Sequence, residues 1–91
     1  MTRLGYMTKQ GGKVKTWKKR YFELTDFSLS YFRSPSTRNR TIGTIPVKTI
    51  TSVSLSGKKG NRNLIRISTP ERVYLMYPEN PPDENKWIQA L

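Results

Sequence analysis

From Leu4 to Tyr77 the chain runs in short stretches of alternating or β-rich residues, each bounded by Gly, Pro, Asn or Ser clusters. Val, Ile, Tyr, Phe and Thr at a period of two suit a pleated, half-buried surface. Frequent punctuation between such runs indicates an antiparallel barrel or sandwich. Strands are predicted near Leu4–Lys9, Trp17–Leu24, Ser28–Arg33, Thr41–Val47, Thr51–Leu55, Asn63–Ser68 and Arg72–Tyr77. The turn at Thr25–Phe27 is tight, whereas Ser34–Arg40 and Ser56–Arg62 read as polar, flexible connections carrying Pro, Gly and Asn.

After Tyr77 the pattern changes. Asn80 is placed to cap a helix whose first turn holds Pro81, Pro82, Asp83 and Glu84, residues favoured there by fixed φ and by the helix dipole. Trp87, Ile88 and Leu91 form its apolar stripe. A small barrel has open ends, and this helix is expected to plug one, with Trp87 as the core anchor. The expected architecture is mainly β, one domain over residues 1–91, with the helix expected to continue past Leu91 in a longer parent chain.

Ninety-one residues suit one modest core. Absent cysteine removes disulfides and thiolate metal sites, so a cytoplasmic setting is the default. No apolar run approaches the roughly 20 residues of a spanning helix, and Met1–Thr8 lacks a signal-peptide core. Charge narrows the partner more sharply: 17 Lys and Arg against 6 acids leave +11. Residues 1–40 carry ten cations and two acids, residues 41–77 six and one, and residues 78–91 one and three. A positive face at one end favours a polyanion, either an anionic lipid surface or nucleic acid.

Strand alternation places Met7 and Lys9 on one face, with Lys18, Arg20, Phe22 and Leu24 on the same face of the second strand and Leu29, Tyr31 and Arg33 on that of the third. In an antiparallel meander, Lys9, Lys18, Arg20, Tyr31 and Arg33 meet at one rim, above the apolar residues deeper in each strand. The loop Gln10–Thr16 overhangs that rim. Its Gly11 and Gly12 permit close backbone approach, and its Lys13 and Lys15 add charge. Arg20 offers a planar fork to a phosphate, Lys9 a mobile point charge and Tyr31 a hydroxyl donor. Val14 stands apolar between two lysines and is a candidate membrane contact, against the alternative that it packs on its own loop. Trp17 is expected to pack on the outer wall rather than anchor at an interface or stack on a base, and Lys58, Lys59 and Arg62 to be solvated rather than to form a second lipid site.

Gly5-Tyr6-Met7-Thr8-Lys9-Gln10-Gly11-Gly12, followed by Val14-Lys15-Thr16-Trp17-Lys18-Lys19-Arg20-Tyr21-Phe22-Glu23-Leu24, resembles the start of a pleckstrin homology domain. It resembles in particular the subset that binds 3-phosphorylated inositides. That signature is Lys, any, small, a gap, basic, any, Arg and hydrophobic residues; here these are Lys9, Gly11, six residues, Lys18, Arg20, Tyr21 and Phe22. The likeness continues through Leu29-Ser30-Tyr31-Phe32 and Gly43-Thr44-Ile45-Pro46-Val47 to Trp87-Ile88-Gln89-Ala90-Leu91. Within the family it is similar to the dual adaptors of phosphotyrosine and 3-phosphoinositides and to the cytohesins, with Met7 and Tyr21 where Leu and Trp are usual.

The resemblance implies a seven-stranded bent barrel capped by one helix. It also implies binding of phosphatidylinositol 3,4,5-trisphosphate, with the 3,4-bisphosphate as a second candidate. Lys9, Arg20 and Tyr31 carry over as headgroup contacts, and Arg33, Arg38 and Arg40 are plausible additions. No long hairpin separates the last two strands, so the extra ligand wall of cytohesin-type domains is not expected. Space beside Gly12 leads us to expect tolerance of both lipids.

Three alternatives compete. An enzyme lacks support, since the chain has no His or Cys and no acid is positioned at the basic rim as a general base. Nucleic acid suits the charge and five tyrosines, but an outward stacking platform is not expected, because Phe22 and Tyr31 point inward. A protein-interaction module on the same fold is the third. The reading taken forward is a monomeric, non-catalytic domain without cofactor or metal, held in the cytoplasm and recruited peripherally to the plasma membrane by 3-phosphorylated headgroups on an anionic leaflet.

Overall fold

The computed structural model describes residues 3–91. Seven strands form one antiparallel sheet: β1 (Arg3–Gln10), β2 (Trp17–Leu24), β3 (Ser28–Phe32), β4 (Gly43–Pro46), β5 (Ser52–Lys59), β6 (Arg62–Ser68) and β7 (Val73–Pro78). Their order is β4-β3-β2-β1-β7-β6-β5, so the sheet curls until the first strand lies beside the last. One helix, α1 (Asp83–Ala90), follows, and short 3-10 turns occupy Pro35–Thr37 and Val47–Thr49.

The period-two pattern builds the core directly. Met7, Phe22, Leu24, Leu29, Ile45, Ile65, Ile67 and Met76 project inward from successive strands, and Trp87 joins them from α1. Gly5 lies beside that indole, where a β-carbon would make an ordinary van der Waals contact 3.5 Å from Trp87 Cζ2. The Arg3 guanidinium lies over the ring at 5.2 Å from the centroid. Phe32 and Leu64 are buried outside this cluster.

Several expected boundaries move, each for a local reason. β4 is shorter than Thr41–Val47, because Val47 enters a 3-10 turn, and β3 ends at Phe32, leaving Arg33 beyond the sheet. The segment Ser56–Arg62, expected as a flexible connection, is instead largely hairpin. A bulge between Leu55 and Lys58 carries β5 on to Lys59, with Gly57 at φ +83° and Gly60 opening the two-residue turn at φ +59°. The helix is not capped by the Asn80 side chain. Pro82 occupies the capping position without a side-chain bond, while the Asn80 and Pro81 carbonyls accept from Asp83 and Glu84 N–H at 2.9 and 3.1 Å. The β2–β3 turn is as tight as expected, with Thr25 Oγ1 accepting the N–H groups of Phe27 and Ser28.

Candidate functional site

The open rim is built where β1 and β3 end and β2 begins, beside the β1–β2 loop. Lys9 and Lys18 are direct cross-strand partners, a like-charge pairing that costs stability wherever it has no other purpose. Around a cavity of about 370 Å³ stand Lys9, Lys18, Arg20, Tyr31 and Arg72, with Gly11 and Gly12 of the loop and Ile42 opposite.

Lys9 is only 8% exposed. Its ammonium lies 4.8 Å above the Tyr31 ring. Burial first, then Arg72, Arg20 and Lys18, hold its pKa below the ordinary lysine value. Burial also raises the Tyr31 pKa, with Tyr74 adding to the effect, so the phenol keeps its proton as a donor. Arg20 spends one bond on the Lys19 carbonyl at 3.0 Å. Acids pair elsewhere: Glu23 with Arg38 at 2.6 Å, Glu79 with Lys19 at 2.7 Å, and Asp83 with Arg3 and Lys86 at 3.8 Å. The rim therefore holds concentrated positive charge ready for an anion.

The loop is ordered by its own bonds. Gly11 N–H donates to the Thr16 carbonyl and Thr16 N–H to the Val14 carbonyl, each at 2.9 Å. A β-carbon at Gly11 would overlap the Val14 oxygen, so Gly11 serves the turn itself. Gly12 faces Arg72, whose Nη1 would lie 2.8 Å from a β-carbon there. Lys13 and Lys15 do not reach the inner cavity. They line a second cleft of about 590 Å³ on the outer side of the loop with Gln10, Arg72, Val73 and Leu75. Val14 is 70% exposed at the tip.

Arg33 does not join the rim either. It lies beyond β3 and lines an adjoining cavity with Thr37, Arg40, Thr41 and Ile42, so Arg33 and Arg40 flank the candidate site rather than close it. Arg38 is turned away by Glu23. The residue that sequence reasoning missed is Arg72. It belongs to the four-residue turn between β6 and β7, not to a strand, and its guanidinium stacks 4.0 Å over Tyr74. Only the β1–β7 pairing, with Lys9 opposite Met76, brings that turn to the rim.

On the outer face Trp17 packs as expected, but its cations depart from expectation. Trp17 packs against Tyr77 with ring centroids 5.9 Å apart, and Tyr6 meets Tyr21 edge-on at 5.2 Å. Lys59, Lys19 and Arg62 lie over Trp17, Tyr6 and Tyr77 at 5.2, 4.5 and 5.2 Å. Rings and cations are thus interleaved there after all, and Lys59 and Arg62 are engaged rather than merely solvated. Each cation covers a ring, and Arg62 also donates to the Pro78 and Glu79 carbonyls at 2.6 and 2.7 Å. Among the described residues no three His, Cys, Asp or Glu side chains could hold a metal ion, and no helix is long and apolar enough to cross a membrane.

Curled sheet, end-capping helix and cationic mouth define a small β module with concentrated positive charge at one open end. The family model described as PH domain matches residues 1–91, and the chain belongs to that family. This fold is a binding module that is itself non-catalytic. The chain is 34% identical over 87 residues to a RAC family serine/threonine-protein kinase homolog of Dictyostelium discoideum, covering 96% of this chain and 19% of that protein. It is 37% identical over 91 residues to human pleckstrin homology domain-containing family A member 2, covering 96% and 21%. The chain thus spans about a fifth of the length of these relatives. Among solved structures, the C-terminal PH domain of pleckstrin in complex with D-myo-Ins(1,2,3,4,5)P5 superposes with a TM-score of 0.73 at 27% identity, covering 97% of this chain and 90% of that one.

Proposed function

We propose that the inner rim binds 3-phosphorylated phosphoinositide headgroups, accepting both the 3,4,5-trisphosphate and the 3,4-bisphosphate, and that this recruits the domain peripherally to the plasma membrane. One observation carries the reading: Lys9, Lys18, Arg20 and Tyr31 surround one cavity, with the least exposed lysine kept among other cations. Buried like charge is retained where a ligand neutralises it. Lys9, Gly11, Lys18 and Arg20 also stand at the spacing of the 3-phosphoinositide-binding signature.

Arg72 enters this reading as a further hydrogen-bond donor to the phosphates, reaching in from the β6–β7 turn. The shortness of that turn, Thr69 to Arg72, leaves no tall wall beside the cavity, which supports acceptance of more than one headgroup. Pleckstrin's complex with an inositol pentakisphosphate is consistent with an inositol polyphosphate in such a mouth. Lys13 and Lys15, outside the cavity, act on the anionic leaflet, each worth about 1 kcal/mol near the surface. Val14 at the tip is suited to touch the lipid interface.

Liposomes of constant total charge, with and without phosphatidylinositol 3,4,5-trisphosphate, test the proposal at near-physiological salt. Arg20→Ala should lose about 10- to 100-fold in trisphosphate-dependent affinity while remaining folded, the scale of a charge-assisted hydrogen bond. Equal binding by both proteins, following total charge alone, would sink the headgroup reading.

A further inference from the structure

Tyr31 lies against a residue that does not itself line the rim cavity. Tyr31 and Gly43 are direct cross-strand partners on β3 and β4. A β-carbon at Gly43 would overlap Tyr31 Oη and Cζ and lie 3.0 Å from Cε1, so the phenol rests on the bare glycine backbone. Two further contacts hold the ring: Phe22 packs at 5.3 Å between centroids and Lys9 Nζ sits 4.8 Å from the ring centre.

Backbone conformation does not explain the glycine. Positive φ occurs only at Gly57 and Gly60 among the described residues, so Gly43 adopts a backbone open to any L-residue. What the position requires is space. Phe22, which is fully buried, leaves the ring no inward escape, and Lys9 lies above it. Gly12 supplies a contrast. A β-carbon there meets the far end of the Arg72 side chain, which swings aside at low cost, whereas a phenol ring moves as one rigid body.

We infer that Gly43 is a positioning residue of the candidate site, seating the Tyr31 hydroxyl and, through the ring, the Lys9 ammonium at the cavity. This rests on the headgroup reading for its effect on binding but not for the seating itself. Any side chain at position 43 lifts the ring, withdraws the hydroxyl donor and strips Lys9 of its aromatic support.

The test is a double-mutant cycle of Gly43→Ala and Tyr31→Ala, read by binding of inositol 1,3,4,5-tetrakisphosphate and by the NMR shifts of the Lys9 ε-methylene, which senses the Tyr31 ring current. Gly43→Ala alone should weaken binding by about 10-fold or more, the scale of one hydrogen bond to a charged group. In the Tyr31→Ala background the same change should alter affinity less than about 2-fold, because its effect is exhausted once the ring is gone. Gly43→Ala should also move the Lys9 shifts without ligand.

Equal losses in both backgrounds, or wild-type affinity with unmoved Lys9 shifts in Gly43→Ala, would overturn the inference. If Gly43→Ala fails to fold while Gly43→Ala/Tyr31→Ala folds, the overlap with Tyr31 is established by that rescue; failure of both would refute a role confined to Tyr31. If the wild type ignores the tetrakisphosphate, the headgroup reading fails, and the Lys9 shifts alone decide whether Gly43 seats the ring.

Discussion

Replacing Lys9 by methionine should strengthen the fold and weaken ligand binding. The two side chains have similar length, so the packing of the stem beneath the rim survives. Lost is the contact of the ammonium with the Tyr31 ring at 4.8 Å, worth about 0.5–2 kcal/mol depending on desolvation. Gained are relief of a buried charge facing Arg72, Arg20 and Lys18, and removal of the direct opposition to Lys18 across the β1–β2 pair. Terminal apolar burial adds roughly 0.8 kcal/mol for one methylene equivalent. Relief of the charge opposed by Arg72, Arg20 and Lys18 is expected to outweigh the lost ring contact, and each ~1 kcal/mol of net gain raises the melting temperature of a domain this size by roughly 4–8 °C.

The pH dependence has a definite sign. Because the native pKa of Lys9 lies below 10.5, the unfolded chain holds the proton more tightly. The penalty is therefore complete at neutral pH and fades as pH rises through the native value toward 10.5. Tyr31, with its native pKa raised above 10.0, acts oppositely and loses its stabilising contribution as pH climbs above 10.0. The advantage of Lys9→Met should thus be largest near neutrality and shrink on alkalinisation. Paired melting curves across that range, beside tetrakisphosphate titrations, make the check. A variant that melts lower than wild type at pH 7 would refute the claim that Lys9 is held at a cost to the fold.

Two further outcomes follow from contacts at the rim and under the helix. Arg72→Ala should weaken headgroup binding by about 10-fold, as one charge-assisted contact would, while costing only about 0.5–1 kcal/mol of stability through its stack on Tyr74; unchanged affinity in calorimetry would remove Arg72 from the site. Trp87→Ala should cost about 3–5 kcal/mol, a large part of the stability of a small domain, and a melting curve matching wild type would contradict its place in the core.

The chain sequence by itself determined the interactions between near neighbours. Period-two alternation set which face of each strand is inward, from Met7 through Phe22 to Leu29, because a pleated backbone sends successive side chains to opposite sides. A hairpin between β1 and β2 then made the meeting of Lys9, Lys18 and Arg20 readable, with Gly11 and Gly12 at the bend. The stripe through Trp87 was legible for the same local reason. Ser56–Lys59, by contrast, looked like loop because a bulge hides in polar, Gly-containing sequence, and Asn80 looked like a cap that the proline backbone displaced.

Tertiary structure alone decided what depends on the curl of the sheet. Pairing of β1 with β7 brings Arg72 beside Lys9, although 62 positions separate them in the chain. The end of β3 at Phe32 sends Arg33 and Arg40 to a neighbouring cavity, and the β3–β4 register sets Tyr31 on Gly43. Alternation and turn chemistry act over a few residues, whereas closure and register between distant strands come from twist and packing summed over the whole sheet. The charges were therefore visible in the sequence, but which of them share one cavity was settled by how the sheet curls and pairs β1 with β7.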